Sequence, residues 1–164
     1  MEITPTPLTR LDSPYLGIDI PLLPGTEPFI LHAGKFGGVP QVWSLDYAAV
    51  QLQCDATVAN RFIYARLYPD VGASMLMGVQ SPAILASTTK SLALVGYTYL
   101  SGAVSPHDYL VGISNGMVIS GDNYLKIYIG AGQLGDIMSG VLRLKYLNYE
   151  LGIQTPYDAR RKGG

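Results

Sequence analysis

Four patterns in this chain have the spacing of chemical machinery. Gly130-Ala131-Gly132-Gln133-Leu134-Gly135 matches G-x-G-x-x-G behind an alternating run, with Glu150 further on. In a dinucleotide site those glycines bring backbone against a pyrophosphate held at a helix N-terminus. Here only five residues separate Gly135 from Val141, where the next alternating run begins. A crossover helix needs about a dozen, so the spacing predicts a hairpin loop. Gly112-Ile113-Ser114-Asn115-Gly116 matches G-x-S-x-G. A nucleophile elbow requires strand, sharp turn and helix, with its base later in the chain. Asn115-Gly116 leads instead into another strand-like run, and both histidines, His32 and His107, precede the serine.

His107-Asp108 follows Ser105-Pro106 and reads as a turn in which the aspartate caps the backbone. One His and one Asp make neither a dyad nor a metal site without partners. Asp46, Asp55, Asp70, Asp108, Asp122, Asp136 and Glu150 are scattered singly, whereas glycoside hydrolysis needs two carboxylates at a fixed separation. A calcium site in the Asp122/Asn123/Asp136 loops lacks the acidic density of known calcium loops. Cys54 is the only cysteine, which excludes an internal disulfide and a thiolate metal centre and suits a small buried hydrophobe. The sequence therefore offers no catalytic, cofactor-binding or metal residue, and a non-enzymatic role is expected.

The elements that would carry any site are strands. Ser114-Asn115-Gly116 and Gly121-Asp122-Asn123 are turn signals around Met117–Ile119, Tyr124–Ile129 and Val141–Leu147. Asn-Gly and Gly-Asp between period-2 runs predict hairpins, so residues 114–147 read as a β-meander. Upstream, Val50, Leu52 and Cys54 alternate with Gln51 and Gln53, and Ile63, Ala65 and Leu67 alternate with polar residues in Arg61–Tyr68. With Phe29–His32, Met75–Val79, Ser91–Leu100 and Tyr109–Ser114 this makes about nine strands and no sustained helical stripe. The expectation is an all-β fold, a jelly-roll-like antiparallel β-sandwich with an extended Pro-rich N-terminal arm. The arm is placed at 1–28, because prolines at 5, 7, 14, 21, 24 and 28 disfavour helix and central strand alike. The sandwich is placed at 29–151 and a C-terminal tail at 152–164. Extended, the arm could span ~90 Å, and its apolar Leu8, Leu11, Tyr15, Leu16, Ile18 and Ile20 want a surface, in cis or on another subunit.

Charged residues are 14% of the chain, against roughly 25% in ordinary soluble domains. The net charge is −1, which argues against nucleic acid, where many cations must offset phosphates. The densest basic cluster, Arg160-Arg161-Lys162, is too small for a DNA footprint. The aromatic set is skewed to 12 Tyr against 3 Phe and 1 Trp, and tyrosine suits both strands and contact surfaces. No run approaches the ~18 apolar residues of a helical span, and Met1–Arg10 has no basic start followed by an apolar stretch. No membrane partner is expected, and synthesis and assembly in a cytoplasm are.

Cys54-Asp55-Ala56-Thr57-Val58-Ala59-Asn60-Arg61 resembles an Asp-Ala-x-Val-Ala-Asn-Arg segment of small β-rich virion proteins of tailed bacteriophages. The layout of Gly121-Asp122, an alternating strand, Gly135-Asp136 and a final strand is similar too. The resemblance spans 42–147 and departs at Cys54, where a polar residue is expected. It implies a capsid decoration (cement) protein on the outer capsid surface of a virion. Its partners would be the major capsid protein and further copies of itself in a homo-oligomer, a trimer. A head–tail connector or tail-associated part would use the same residues. A carbohydrate-binding jelly roll would stack sugars on exposed Tyr and Trp43. On the local chemistry, Asp55 caps the turn, Asn60 takes a left-handed backbone, and Arg61 reaches back to Asp55. The interface expected from all this comprises Asp55, Arg61, the arm residues named above, and Tyr157, Arg160 and Arg161 of the tail.

Overall fold

The computed structural model describes residues 2–3, 17–36, 39–72, 74–96, 108–113 and 117–147. Among them the strands are β1 (Glu2–Ile3), β2 (Gly17–Gly25), β3 (Phe29–His32), β4 (Lys35–Phe36), β5 (Val39–Pro40), β6 (Trp43–Gln53) and β7 (Phe62–Pro69). They continue as β8 (Met77–Gln80), β9 (Thr89–Gly96), β10 (Tyr109–Ile113), β11 (Met117–Ile119), β12 (Asn123–Gly130) and β13 (Ile137–Tyr146). The described chain is all-β. A smaller sheet runs β1-β3-β12-β7-β8 and a larger one β10-β9-β6-β13-β2, with β11 on β6. Their inner faces share one core, which includes Leu31, Ile63, Ala65, Leu125 and Ile127 from the first and Leu45, Val50, Leu92, Leu142 and Leu144 from the second.

The pairing is nested. β2 joins β13, β3 joins β12, β6 joins β9 and β7 joins β8, all antiparallel. A chain doubled into one long hairpin and then rolled gives this order, the arrangement of a jelly roll. The meander expected over 114–147 does not form. β11 pairs with β6, β12 with β3 and β7, and β13 with β6 and β2. Consecutive strands thus alternate between the sheets, and 131–136 is a passage across the sandwich rather than a hairpin loop. Alternating polarity marks a strand with one buried face; it does not say which strand supplies its hydrogen bonds.

Residues 17–25, expected within the arm, form the edge strand β2 on β13. Pro21 and Pro24 are tolerated because an edge leaves one row of N–H groups unused. Ile20 and Leu22 enter the core, and Ile18 packs partly against it. The sandwich therefore begins no later than Gly17, not at residue 29. At the other sheet's edge, Glu2 and Ile3 align with Ile30 and Leu31 of β3. Leu8, Leu11, Tyr15 and Leu16 lie outside the described residues, as do Tyr157, Arg160 and Arg161.

β6 shows why a long strand can serve two stretches of core. Its inward residues are Trp43 and Leu45, then Ala48, Val50 and Leu52. The parity changes where the register with β13 slips, between Tyr47 opposite Arg143 and Leu45 opposite Leu144. The extra residue, Asp46, is a β-bulge, which re-aims the strand without ending it.

Ile20 and Asp19 are neighbours on β2 with opposite surroundings. Asp19 makes an exposed two-pronged ion pair with Arg143, at 2.7 and 2.8 Å. Urea unfolding should show Ile20→Ala losing about 2–5 kcal/mol, and Asp19→Ala no more than about 1 kcal/mol. Equal small losses would mean that β2 is not part of the core.

Candidate functional site

β6 ends at Gln53 and β7 begins at Phe62, in different sheets. The connection must cross the edge of the sandwich, and it does so around Arg61. The period-2 pattern of β7 buries Ile63, Ala65 and Leu67, and residue 61 has the same parity. Arg61 therefore points inward and is fully buried; placing it among the outward polar residues of that run is corrected. An arginine cannot shed its charge at such a site, so its donors must be met.

They are met from two loops. Arg61 Nε–H donates to Asp136 Oδ2 at 3.0 Å. One terminal nitrogen donates to the carbonyls of Thr57, at 2.5 Å, and Ala59, at 3.0 Å. The other donates to Asp55 Oδ1. The anticipated reach from Arg61 to Asp55 is thus present, together with the Asp55 cap: Thr57 N–H donates to Asp55 Oδ1 at 2.9 Å and Thr57 Oγ1 to Oδ2 at 3.1 Å. Asn60 does not take the left-handed backbone expected of it; among described non-glycine residues Ser87 and Ala131 do, each at φ 55°.

Asp136 is the member that spacing alone missed. Its Oδ1 accepts from Asp55 N–H at 2.9 Å and its Oδ2 also accepts from Gln133 N–H at 2.8 Å. Burial pushes this carboxyl up. The Gln133 N–H, the Arg61 guanidinium and the Asp55 N–H together outweigh burial and hold it below the usual carboxylate range. The parity of β13 offered a sign, since Asp136 shares the inward phase of Met138.

A third loop joins through its backbone. Arg61 N–H donates to Ile84 C=O at 3.0 Å, Ile84 N–H returns to Arg61 C=O at 2.8 Å, and Ser87 N–H donates to Asp55 C=O at 2.7 Å. The loops 54–61, 81–88 and 131–136 are therefore one assembly. Each presents a large aliphatic side chain to solvent: Val58 is 94% exposed, Leu85 61% and Leu134 101%. No lysine, arginine or histidine other than Arg61, and no carboxylate other than Asp55 and Asp136, lies in these loops. The result is a firm, uncharged end with apolar tips.

The glycine motif has its explanation here. No helix follows it; β13 begins at Ile137. A Cβ on Gly135 would lie 2.8 Å from Asp55 Cβ, and one on Gly130 2.2 Å from Tyr64 Cε2. Both glycines admit a side chain that lies against the backbone, which is a packing role. The other motifs resolve similarly. β10 runs through Gly112 and Ile113 and β11 follows, with Ser114 outside the described residues. Asp108 accepts from Lys90 Nζ and Ser91 N–H, each at 2.8 Å, so it does cap backbone. Asp122 sits beyond the Asn123 end of β12 and Asp136 beyond the Gly130 end, roughly 25 Å of strand apart. They cannot share a cation, and the described residues hold no group of three His, Cys, Asp or Glu placed for one. Cys54 is buried, and burial is the main cause of its raised thiol pKa.

Removing the cation should be worse than removing either cap. Arg61→Met leaves Asp136 buried and unpaired and should cost about 3–5 kcal/mol in urea unfolding, whereas Asp55→Ala should cost about 1–3 kcal/mol. Asp136 is held below its ordinary value, so its contribution is complete above the unfolded-state pKa of about 4 and fades as pH falls through the lower folded value. Stability should be level from neutral pH to about 5 and fall below about 4, with a shallower fall in Asp136→Asn. An unchanged acid slope in that variant would remove Asp136 from the account.

Comparison with protein-family models, with curated proteins and with solved structures finds no match to this chain.

Proposed function

We propose that this chain is a structural protein of a phage virion. In this reading it is a capsid decoration, or cement, protein that binds the outer capsid surface as a homo-oligomer, a trimer, and stabilises the shell. One observation carries the reading: the segment that resembles virion proteins, Asp55–Arg61, is also the segment that builds the uncharged end with its apolar tips. Arg61 and Asp136 are fully buried and Asp55 is tied to both. The charges of this end are spent on holding loops rather than on chemistry. Val58, Leu85 and Leu134 are what it offers to a partner. Exposed aliphatic side chains grouped on a rigid frame suit protein contact, and many copies on a lattice add avidity to a weak individual contact.

The head–tail or tail-associated alternative uses the same surface and differs in oligomer geometry. The carbohydrate-binding alternative loses one of its platforms, because Trp43 is 1% exposed and packs on Tyr146 with ring centroids 5.0 Å apart.

Co-sedimentation with expanded, undecorated phage capsids tests the reading, with mass photometry of the free protein beside it. Saturable pelleting by a small closed oligomer is expected. Val58→Asp/Leu134→Asp should abolish pelleting while leaving the melting temperature within a few degrees, since both side chains are already in water. A larger ring that ignores capsids would move the reading to a connector, and pelleting undisturbed by the double variant would remove the loop end from the contact.

A further inference from the structure

The outer face of the smaller sheet carries a second organised surface. β7 sends out Tyr64, Arg66 and Tyr68; β12 sends out Tyr124, Lys126 and Tyr128. Register sets them directly opposite one another: Tyr64 with Tyr128, Arg66 with Lys126, Tyr68 with Tyr124. The two tyrosine pairs are stacked, with centroids 5.1 and 5.6 Å apart. His32 extends the ladder beyond Tyr124 at 5.1 Å, and Phe62 extends it beyond Tyr64 at 6.1 Å.

At the centre stand two cations. Like charges directly opposite across a sheet are unfavourable, and neither is matched by a carboxylate: the ion pairs among the described residues involve His32, Arg61, Lys90 and Arg143. The rings hold them instead. The Arg66 guanidinium carbon is 4.1 Å from the Tyr64 centroid and 5.7 Å from that of Tyr128, and Lys126 Nζ is 5.1 Å from the Tyr128 centroid. Arg66 also hydrogen-bonds the Tyr68 hydroxyl. A cation on an aromatic face is attracted without being neutralised.

The surface is fitted at the level of the backbone. A Cβ on Gly78 of β8, opposite Arg66, would lie 2.7 Å from Arg66 Cγ. With Gly130 under Tyr64, glycines stand where the central arginine and one tyrosine lie flat. The face is a low aromatic plate with unmatched positive charge at its middle.

We propose that this plate docks an acidic segment of a partner protein, with Arg66 and Lys126 taking its carboxylates and the four tyrosines covering the chain between them. Charge complementarity selects the occupant: planar carboxylates match the arginine fork. A nucleic acid would call for more cations along its phosphates, and a neutral sugar would find the Tyr64 ring already covered by Arg66. The inference is independent of the virion reading, and loss of capsid binding would leave it standing.

The test is fluorescence anisotropy of the full chain with a fluorescein-labelled Glu-Ala-Glu-Ala-Glu-Ala peptide. The matching Gln-Ala peptide and a ten-residue oligothymidylate are run beside it, each at low and physiological salt. The glutamate peptide should bind saturably and at least about tenfold more tightly than the glutamine peptide, and more weakly as salt rises. Arg66→Gln and Lys126→Gln should each weaken it roughly five- to tenfold, and the double variant should lose it. Arg143→Gln, on the other sheet, should change nothing. Melting temperature controls for folding, and the double variant should melt no lower than the wild type because a like-charge pair is gone. Equal binding of the two peptides, no binding of the glutamate peptide, tighter binding of the oligothymidylate, or loss in Arg143→Gln would each overturn the proposal.

Discussion

A guanidinium with no exposure to water is the constraint on which one end of this sandwich depends. Taking an arginine out of solvent is affordable only when its donors are satisfied and its charge is answered. Arg61 meets that condition by drawing in two carboxylates and two carbonyls. The carboxylates belong to loops that leave different sheets. Satisfying one side chain therefore fixes how two β-layers are joined at their rim. The burial of Arg61 and the path of three loops are a single arrangement, and none of its parts could be kept while another was changed.

The other surface obeys a different economy. Arg66 and Lys126 remain accessible, so their charges are shared with water and with ring faces rather than cancelled. Arg61 and Arg66 stand on or beside the same strand, five residues apart by number. An odd separation puts them on opposite faces of β7. The inward one is spent on architecture and the outward one is left available.

Much of the fold was legible, for a definite reason. Where a strand has one dry and one wet face, polarity must alternate, and the alternation at Val50–Cys54 and Ile63–Leu67 reported the core side correctly. Pairing was not legible. Gly121-Asp122 and the glycines at 130–135 signal reversals, but a reversal into the neighbouring sheet and one into the neighbouring strand begin with the same turn residues. The edge strand β2 was obscured by Pro21 and Pro24, since proline penalises strands except at an unused row of N–H groups. At the loop end, the Asp55–Arg61 link was readable because six residues can close on themselves. Asp136 came from far along the chain, and only the finished topology brings it to Arg61. The tyrosine plate was legible as composition and not as a place, because it required the register of β12 on β7.

The nested pairing has a consequence for how the protein is made. β13, the last of the described strands, does not close the larger sheet from outside; it lies in the middle, between β6 and β2. While a ribosome is still extending the chain before Ile137, β2 has no neighbour in that sheet and one long flank of β6 is open. Asp136, the counter-charge for Arg61, has only just been added. The nascent chain must carry an unfinished edge and an unanswered buried cation until nearly all the described residues have been synthesised. Unpaired flanks of this kind invite other chains, so the yield of soluble protein should depend on how quickly the final strand is delivered.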